Sequence, residues 1–260
     1  MAITLRSQRE IELMRRAGTV VADVLSKLKE IAEPGTTTAR LDDVAFEMAS
    51  DAGAEVLFKG VRTPISKIPF PGAICASLNE QVVHGIPSDK VIIKEGDILS
   101  IDFGVRLEGY CADAAITIPI GEISQEKRRL MDITKSVLDI AIEKAAPSVK
   151  WSRIAGQMQK HAESAGYSVV KDFVGHGIGR EMHEEPKVPN FVNRELLAND
   201  IILAPGMVLA VEPMINEGSA AVKTLRNGWT VVTKDRKCSA HFEHTIAINE
   251  TGCEVLTVSN

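Results

Sequence analysis

The sequence has no C-x-x-C pair, no cluster of Lys and Arg, and no apolar run long enough to cross a membrane. Each absence excludes a class of function. The four cysteines, Cys75, Cys111, Cys238 and Cys253, are widely spaced, which suits a reducing compartment and gives no zinc-finger signal. The formal net charge is −5, and without a basic patch a nucleic-acid binder lacks its electrostatic footprint. The stretch "IILAPGMVLAV" is too short for a bilayer and contains Pro205 and Gly206. The first residues, "MAITLRSQREIELMRR", carry charges where a signal peptide needs an apolar segment. The expectation is a soluble cytoplasmic protein with no membrane and no direct nucleic-acid function. Also missing are a nucleophile motif of the Ser-His-Asp or Cys-His hydrolases, a G-x-G-x-x-G loop, and any linker rich in Pro, Gly or Ser.

What is present is ordinary in composition, with 45% hydrophobic and 25% charged residues over a length of 260, enough for a substantial core. Ser7 and Glu10 form a capping-box pattern ahead of apolar positions Ile11, Met14, Val20, Val21, Val24, Leu28 and Ile31, which predicts a helix up to Pro34-Gly35. A second helix runs through Leu41, Val44, Ala45, Met48 and Ala52, and "AGAEVLF" reads as a strand. Residues 124–171 repeat this order: a helix interrupted at Pro147, a helix through Ile154 and Met158, and "AGYSVV" as a strand. Pro34 and Pro147 lie 113 apart, as do Ala52-Gly53 and Ala165-Gly166. "GDILSID" and "GMVLAVE" rhyme as well, each an apolar strand ending in an acid, Asp102 and Glu212. The reading is a duplicated α-α-β unit with a local two-fold axis, joined near residues 119–124. One compact α+β domain over 1–260 follows, with halves at about 1–119 and 124–260 and helices outside a curved, mostly antiparallel sheet.

The stretch "VGHGIGREMHEEP", residues 174–186, holds His176 and His183 behind Gly175, Gly177 and Gly179. The glycines make a helix improbable, so the segment reads as strand into loop, with backbone free to approach something bound. Asp102 and Asp113 flank "VRLEG", a hairpin turn; with the turn centred on Leu107-Glu108 the two aspartates face each other across the ladder. Ionised aspartates that close need a shared proton or a cation between them. Glu212 closes "MVLAVE", where a lone buried glutamate would need a partner. Glu243 lies in "SAHFEHTIAI", an alternating strand with an acid on its inner face. Four carboxylates and one of the two histidines are enough to hold two divalent ions, and oxygen-rich donors with one nitrogen suit Mn, Fe, Co or Zn.

The segments "NEQVVHGIP", "ILSIDFGV" with "ADAAIT", "GHGIGREMHEEP", "VLAVEPM" and "GWTVVTKDRKCSAHFEHTIAI" occur in this order across most of the chain. In them the sequence resembles the type I methionine aminopeptidases, of the pita-bread fold. The resemblance implies Asp102, Asp113, His176, Glu212 and Glu243 as ligands of two metal ions. It also implies His84 and His183 as catalytic histidines that bind substrate without holding metal. His183 would contact the scissile carbonyl and developing oxyanion, His84 the scissile amide nitrogen and leaving amine, and Glu212 would be general base. Phe70, Cys75, Met182 and Trp229 would line the methionine pocket; the family often has an aromatic residue where Met182 stands, and a thioether side chain there suits a thioether substrate. The loop 59–72 departs from the family pattern, as does Ala112. A side site for Na or K near Asn79 and Ser239 is also implied.

The implied activity is removal of the initiator methionine from nascent chains with a small second residue, with transient ribosome contact. Met1-Ala2 would make the chain a substrate of its own activity. Two rivals share the fold: an Xaa-Pro aminopeptidase or prolidase, usually with an N-terminal domain ahead of a catalytic pattern that here begins near Ser7, and an inactive binding protein, which should show substitutions among the five ligands. A type II enzyme would need a helical insertion between His183 and Glu212, for which the 28 intervening residues leave no room.

Overall fold

The Ser7 side chain accepts from Glu10 N–H while the Glu10 carboxylate accepts from Ser7 N–H, and α1 (Gln8–Ile31) begins at this capping box. In the computed structural model, which describes residues 3–64, 66 and 68–259, α1 buries Ile11, Met14, Val21, Val24, Leu25 and Leu28 along one stripe. The Met1-Ala2 start lies outside the described residues. A Thr37 cap opens α2 (Thr38–Asp51), which buries Leu41, Val44, Ala45 and Ala49. The strands that follow are β1 (Glu55–Val56), β2 (Cys75–Leu78), β3 (Gln81–Val83), β4 (Ile98–Leu107) and β5 (Tyr110–Pro119). β4 is central to this half: β5 runs along one edge, and β2 and β1 share the other. Leu25, Leu41, Leu99, Ile101 and Phe103 form the core between helices and sheet.

The second half opens with the same α-α-β order: α3 (Gln125–Lys144), capped by Ser124, then α4 (Trp151–Ser164) and β6 (Ser168–Val169). α4 has the 14 residues of α2, and β6 the two residues of β1. Then come β7 (Gly175–Gly177), β8 (Glu184–Val188), α5 (Arg194–Ala198), β9 (Val208–Val211), β10 (Met214–Asn216), β11 (Val222–Thr224), β12 (Val231–Thr233), β13 (Ser239–His241), β14 (His244–Ile248) and β15 (Cys253–Val255). The main sheet of this half has the order β15-β14-β9-β7-β8. Its core gathers around Trp151, fully buried with its indole N–H on Pro189 O at 2.8 Å, together with Val137, Leu209 and Ile246.

The strand pairs among the described residues are all antiparallel and form four sheets, in keeping with the expected mostly antiparallel α+β fold. Three sequence-based expectations are corrected. "AGAEVLF" and "AGYSVV" contribute only two strand residues each. Asp102 does not end its strand, because β4 continues five residues to Leu107. Finally, the hairpin turns on Glu108-Gly109, one residue later than expected, with Leu107 opposite Tyr110. Both central residues have positive φ, 52° and 82°, as a type I′ turn requires; glycine takes one of these positions without strain, whereas the expected turn would have forced Leu107 there. Asp102 therefore faces Ala115, and Asp113 faces Gly104, so the two aspartates are diagonal neighbours on one face instead of direct partners.

Trp151→Ala should lower unfolding free energy by about 3–5 kcal/mol, measured by urea denaturation. A loss below about 1 kcal/mol would show that the second core does not depend on this side chain.

Candidate active site

β5 carries Asp113 into the second half by pairing with the segment 241–245 through side chains as well as backbone. Thr117 Oγ donates to His241 O at 2.7 Å and accepts from His241 N–H at 2.9 Å. Thr245 Oγ donates to Asp113 O at 2.8 Å and accepts from Asp113 N–H at 3.1 Å. Between these two reciprocal pairs, Ala115 and Glu243 exchange backbone hydrogen bonds of 3.3 and 2.9 Å. Glu243 is thus held beside Asp113. The price is the strand expected through "SAHFEHTIAI", which breaks at Phe242-Glu243 between β13 and β14 as the chain leaves one sheet for another.

The remaining ligand candidates arrive from neighbouring strands. His176 on β7 pairs with Ala210 on β9, and Glu212 follows one residue after β9 ends. His176 Nε2 lies 3.6 Å from Glu212 Oε1. The opposite ring nitrogen, Nδ1, is 2.9 Å from Gly177 O, which can only accept. Nδ1 therefore carries the proton, and Nε2 presents its lone pair to the acids. Ligand atoms of Asp113, His176 and Glu243 lie within 4.8 Å of one another, and Asp102 and Glu212 line the same cavity.

Burial and mutual repulsion raise Asp102, Glu212 and Glu243 well above the usual carboxylate range, and burial pushes Asp113 up from 3.8 to about 7. Asp102 Oδ1, Asp113 Oδ1 and Glu243 Oε1 are buried without any hydrogen-bond partner. Orphaned acceptors of one sign, converging with a neutral imidazole, fit a divalent cation. The same burial, with the neighbouring His183, lowers His176 to about 4.

Above this floor is a cavity of about 250 Å³. Phe70 and Trp229 meet edge to face with centroids 5.2 Å apart, and the Trp229 indole donates to Ile68 O at 3.0 Å. Cys75 on β2 lies opposite Asp102 on β4, so one wall joins the apolar chamber to the acids. Met182 packs against the same cluster, as does Phe58, which the sequence reading missed for want of any motif around it. His84, directly after β3, has φ 59° and sits at the cavity wall with its ring 6.4 Å from Trp229; burial and His183 lower it to about 4. His183 stands at the mouth, its ring centroid 4.4 Å from that of His176.

A second missed residue is His241. It is 2% exposed, its Nε2 has no hydrogen-bond partner, and it lies 4.0 Å from both Glu212 Oε2 and Glu243 Oε2. Burial lowers its pKa to about 3, so it faces the acids as a neutral ring. Its place two residues before Glu243 was the available signal. The three glycines of 175–179 prove to serve the protein's own packing: a Cβ would collide with Ala210 O at Gly175, Glu185 O at Gly177 and the Arg6 guanidinium at Gly179. At the expected monovalent-ion site, Lys127 Nζ donates to Asn79 Oδ1 at 2.8 Å and to Gly96 O at 2.6 Å. Asn79 Oδ1 also accepts from Ile98 N–H, and Ser239 donates its hydroxyl to Ile215 O and its N–H to Asn79 O.

A fold of paired α-α-β halves with buried acids converging between them defines a class, and residues 12–250 match the model of metallopeptidase family M24, to which the chain belongs. Within that class its relatives are methionine aminopeptidases. The enzyme of that name from Clostridium perfringens is 47% identical over 98% of this chain and 99% of its own length. The crystal structure of methionine aminopeptidase from Thermotoga maritima superposes with a TM-score of 0.93 at 38% identity, covering 99% of this chain and 100% of that one. Prolidase from Pyrococcus furiosus shares the fold alone, at 21% identity and a TM-score of 0.74, and this chain covers 66% of it. Among the described residues no helix is long and apolar enough to cross a membrane.

Raised carboxylates of this kind would make the binding of a cation among them depend on pH. Without metal, the contribution of Asp113 to stability is fully present below 3.8 and is lost as pH rises through about 7. A cation relieves that loss by replacing the proton. The gain in Tm on adding Mn to chelator-treated protein should therefore grow from about pH 5 to about pH 7.5; a gain that is flat across this window would remove these carboxylates from the metal site.

Proposed function

We propose that the chain removes the initiator methionine from polypeptides whose second residue is small, with Asp102, Asp113, His176, Glu212 and Glu243 holding two divalent ions drawn from Mn, Co, Fe or Zn. The observation that carries this reading is one cavity with two chemistries: an apolar chamber of Phe70, Cys75, Met182 and Trp229 directly above unpartnered buried acids. Bound there, the ions supply an activated water near neutral pH and polarise the scissile carbonyl.

The protein's own groups divide the remaining work. The chamber takes the methionine side chain, whose thioether packs against the aromatic faces and Met182. Depth is limited by the acid floor, so the chain must enter by its terminus, and the free amine is drawn to that floor. Glu212, with two unequal neighbours in His176 and His241, accepts the proton of the attacking water at its carboxylate. His183 donates a hydrogen bond to the scissile carbonyl oxygen as charge develops there. His84 contacts the scissile amide nitrogen; with its pKa lowered to about 4 it works near neutrality as an uncharged hydrogen-bonding group, which leaves Glu212 to return the proton to the leaving amine. A small second residue fits beside His84 and His183 without displacing either ring. Core clusters that mix the halves, such as Ile11, Tyr110, Val208 and Ala247, support a single domain over 1–260. The nascent chain is the substrate in this reading, and ribosome contact and a cytoplasmic location follow from that role.

Metal-stripped protein supplied with each ion in turn should release methionine from Met-Ala-Ser and leave Ala-Pro-Ser intact; cleavage of the proline peptide instead would transfer the chain to the prolidase-type activity. Asp102→Asn should remain folded by circular dichroism and lose metal affinity together with at least about 100-fold in kcat.

A further inference from the structure

We infer that Arg6 is a positioning residue for His183, acting through Glu184, an assignment that rests on the role proposed above for His183. The Arg6 side chain is only 6% exposed, and its Nη2 pairs with Glu184 Oε2. The other oxygen of that carboxylate, Oε1, accepts the backbone N–H groups of Arg180 at 2.9 Å and Glu181 at 3.2 Å. Glu184 thereby gathers the loop that carries His183, its immediate neighbour, onto one charged group. Charge-assisted bonds of this kind are short and directional, and a carboxylate with two N–H donors and a guanidinium has little freedom left.

This loop lies outside the strand ladders. β7 ends at Gly177 and β8 begins at Glu184, so the residues between them belong to no strand ladder. Other anchors hold its first residues: Ile178 N–H donates to Val208 O at 3.2 Å, Cys111 N–H to Gly179 O at 2.7 Å, and Arg106 Nε and Cys111 Sγ to Arg180 O at 3.3 and 3.4 Å, while Arg106 also pairs with the Glu181 carboxylate. Arg6 packs so closely over Gly179 that a side chain there would displace it, and Met182, beside His183, is held by the Phe70–Trp229 cluster. The outer face borders a cavity of about 670 Å³ whose walls include Arg6, His176, His183 and Glu184, so packed side chains do not hold the loop from that direction. Arg6 itself is fixed, its N–H on Gly206 O at 2.7 Å and its Nη1 3.9 Å from Glu10 Oε1. Glu10 accepts from Tyr110, whose hydroxyl accepts from Arg180 at 2.8 Å, closing a ring of polar contacts around the loop.

A buried ion pair is a poor source of net stability, since well-packed apolar residues of the same volume often do as well. Its use here is geometric. The His183 ring must stay where the carbonyl oxygen becomes charged, and a displacement of about 1 Å at such a group costs up to about 100-fold in rate.

The test is a double-mutant cycle on the full-length, metal-loaded protein, with Arg6→Met made in the unaltered chain and in His183→Ala, and kcat, KM and Tm measured for each. The expected result is a fall of about 10- to 100-fold in kcat with KM changed less than about threefold in the first background. In the His183→Ala background Arg6→Met should change kcat less than about twofold. Arg6→Lys, which keeps the charge without the planar fork, should recover part of the loss. Should Arg6→Met fail to fold, Arg6→Lys and Glu184→Gln complete the same cycle. Equal losses in both backgrounds, or no loss in the first, overturn the inference. A His183→Ala variant with undiminished kcat would instead defeat the reading of His183 itself, and this assignment with it.

Discussion

Four buried carboxylates in one cavity cannot all carry their charge without a counter-ion, and the architecture around them is arranged to make that conflict permanent. Asp102 and Asp113 come from one β4–β5 ladder, Glu212 directly follows β9, and Glu243 lies between β13 and β14 on its backbone bridge to Ala115. Among the described residues the cavity lining holds no Lys or Arg, and its histidines, His84, His176 and His183, are, with the neighbouring His241, pushed toward neutrality by burial. A divalent ion is the group that resolves the repulsion while satisfying the orphaned oxygens.

That arrangement depends on duplication. Each half builds its own core from two helices and a sheet, around Leu41 and Phe103 in the first and Trp151 and Ile246 in the second. Neither core needs the acids. The acids lie where the halves meet, along the Thr117–His241 and Thr245–Asp113 hydrogen bonds, so stability is supplied by the cores and the unfavourable chemistry is confined to the seam. Separation of this kind is common where a site stores electrostatic strain.

Selectivity is separated in the same way. The chamber of Phe70 and Trp229 stands on loops and on β2, and Cys75 opposite Asp102 joins it to the acids. His183 is carried by a loop without ladder hydrogen bonds, whereas His176 is on β7, paired on both sides by β9 and β8. The group proposed to meet the substrate can adjust; the group proposed to hold metal cannot.

Local chemistry was readable from sequence wherever it was decided locally. The Ser7–Glu10 capping box and the stripe from Ile11 to Leu28 specified α1, because both signals act within a few residues. The acids were legible because carboxylates at the ends or centres of apolar strands are costly in any fold. The hairpin frame was missed by one residue, since periodicity cannot tell Leu107-Glu108 from Glu108-Gly109 while the φ demands of the turn can. Other features existed only in three dimensions. The break at Phe242-Glu243 follows from the crossing between two sheets, and the exposure of His241 to the acids from Thr117 gripping its backbone. The joining of Arg6 to Glu184, 178 positions apart, follows from the packing of α1's start against the His183 loop. By itself the sequence determined which side chains would need a cation; the tertiary structure decided which of them share it, because charge repulsion is a property of composition and distance is a property of the fold.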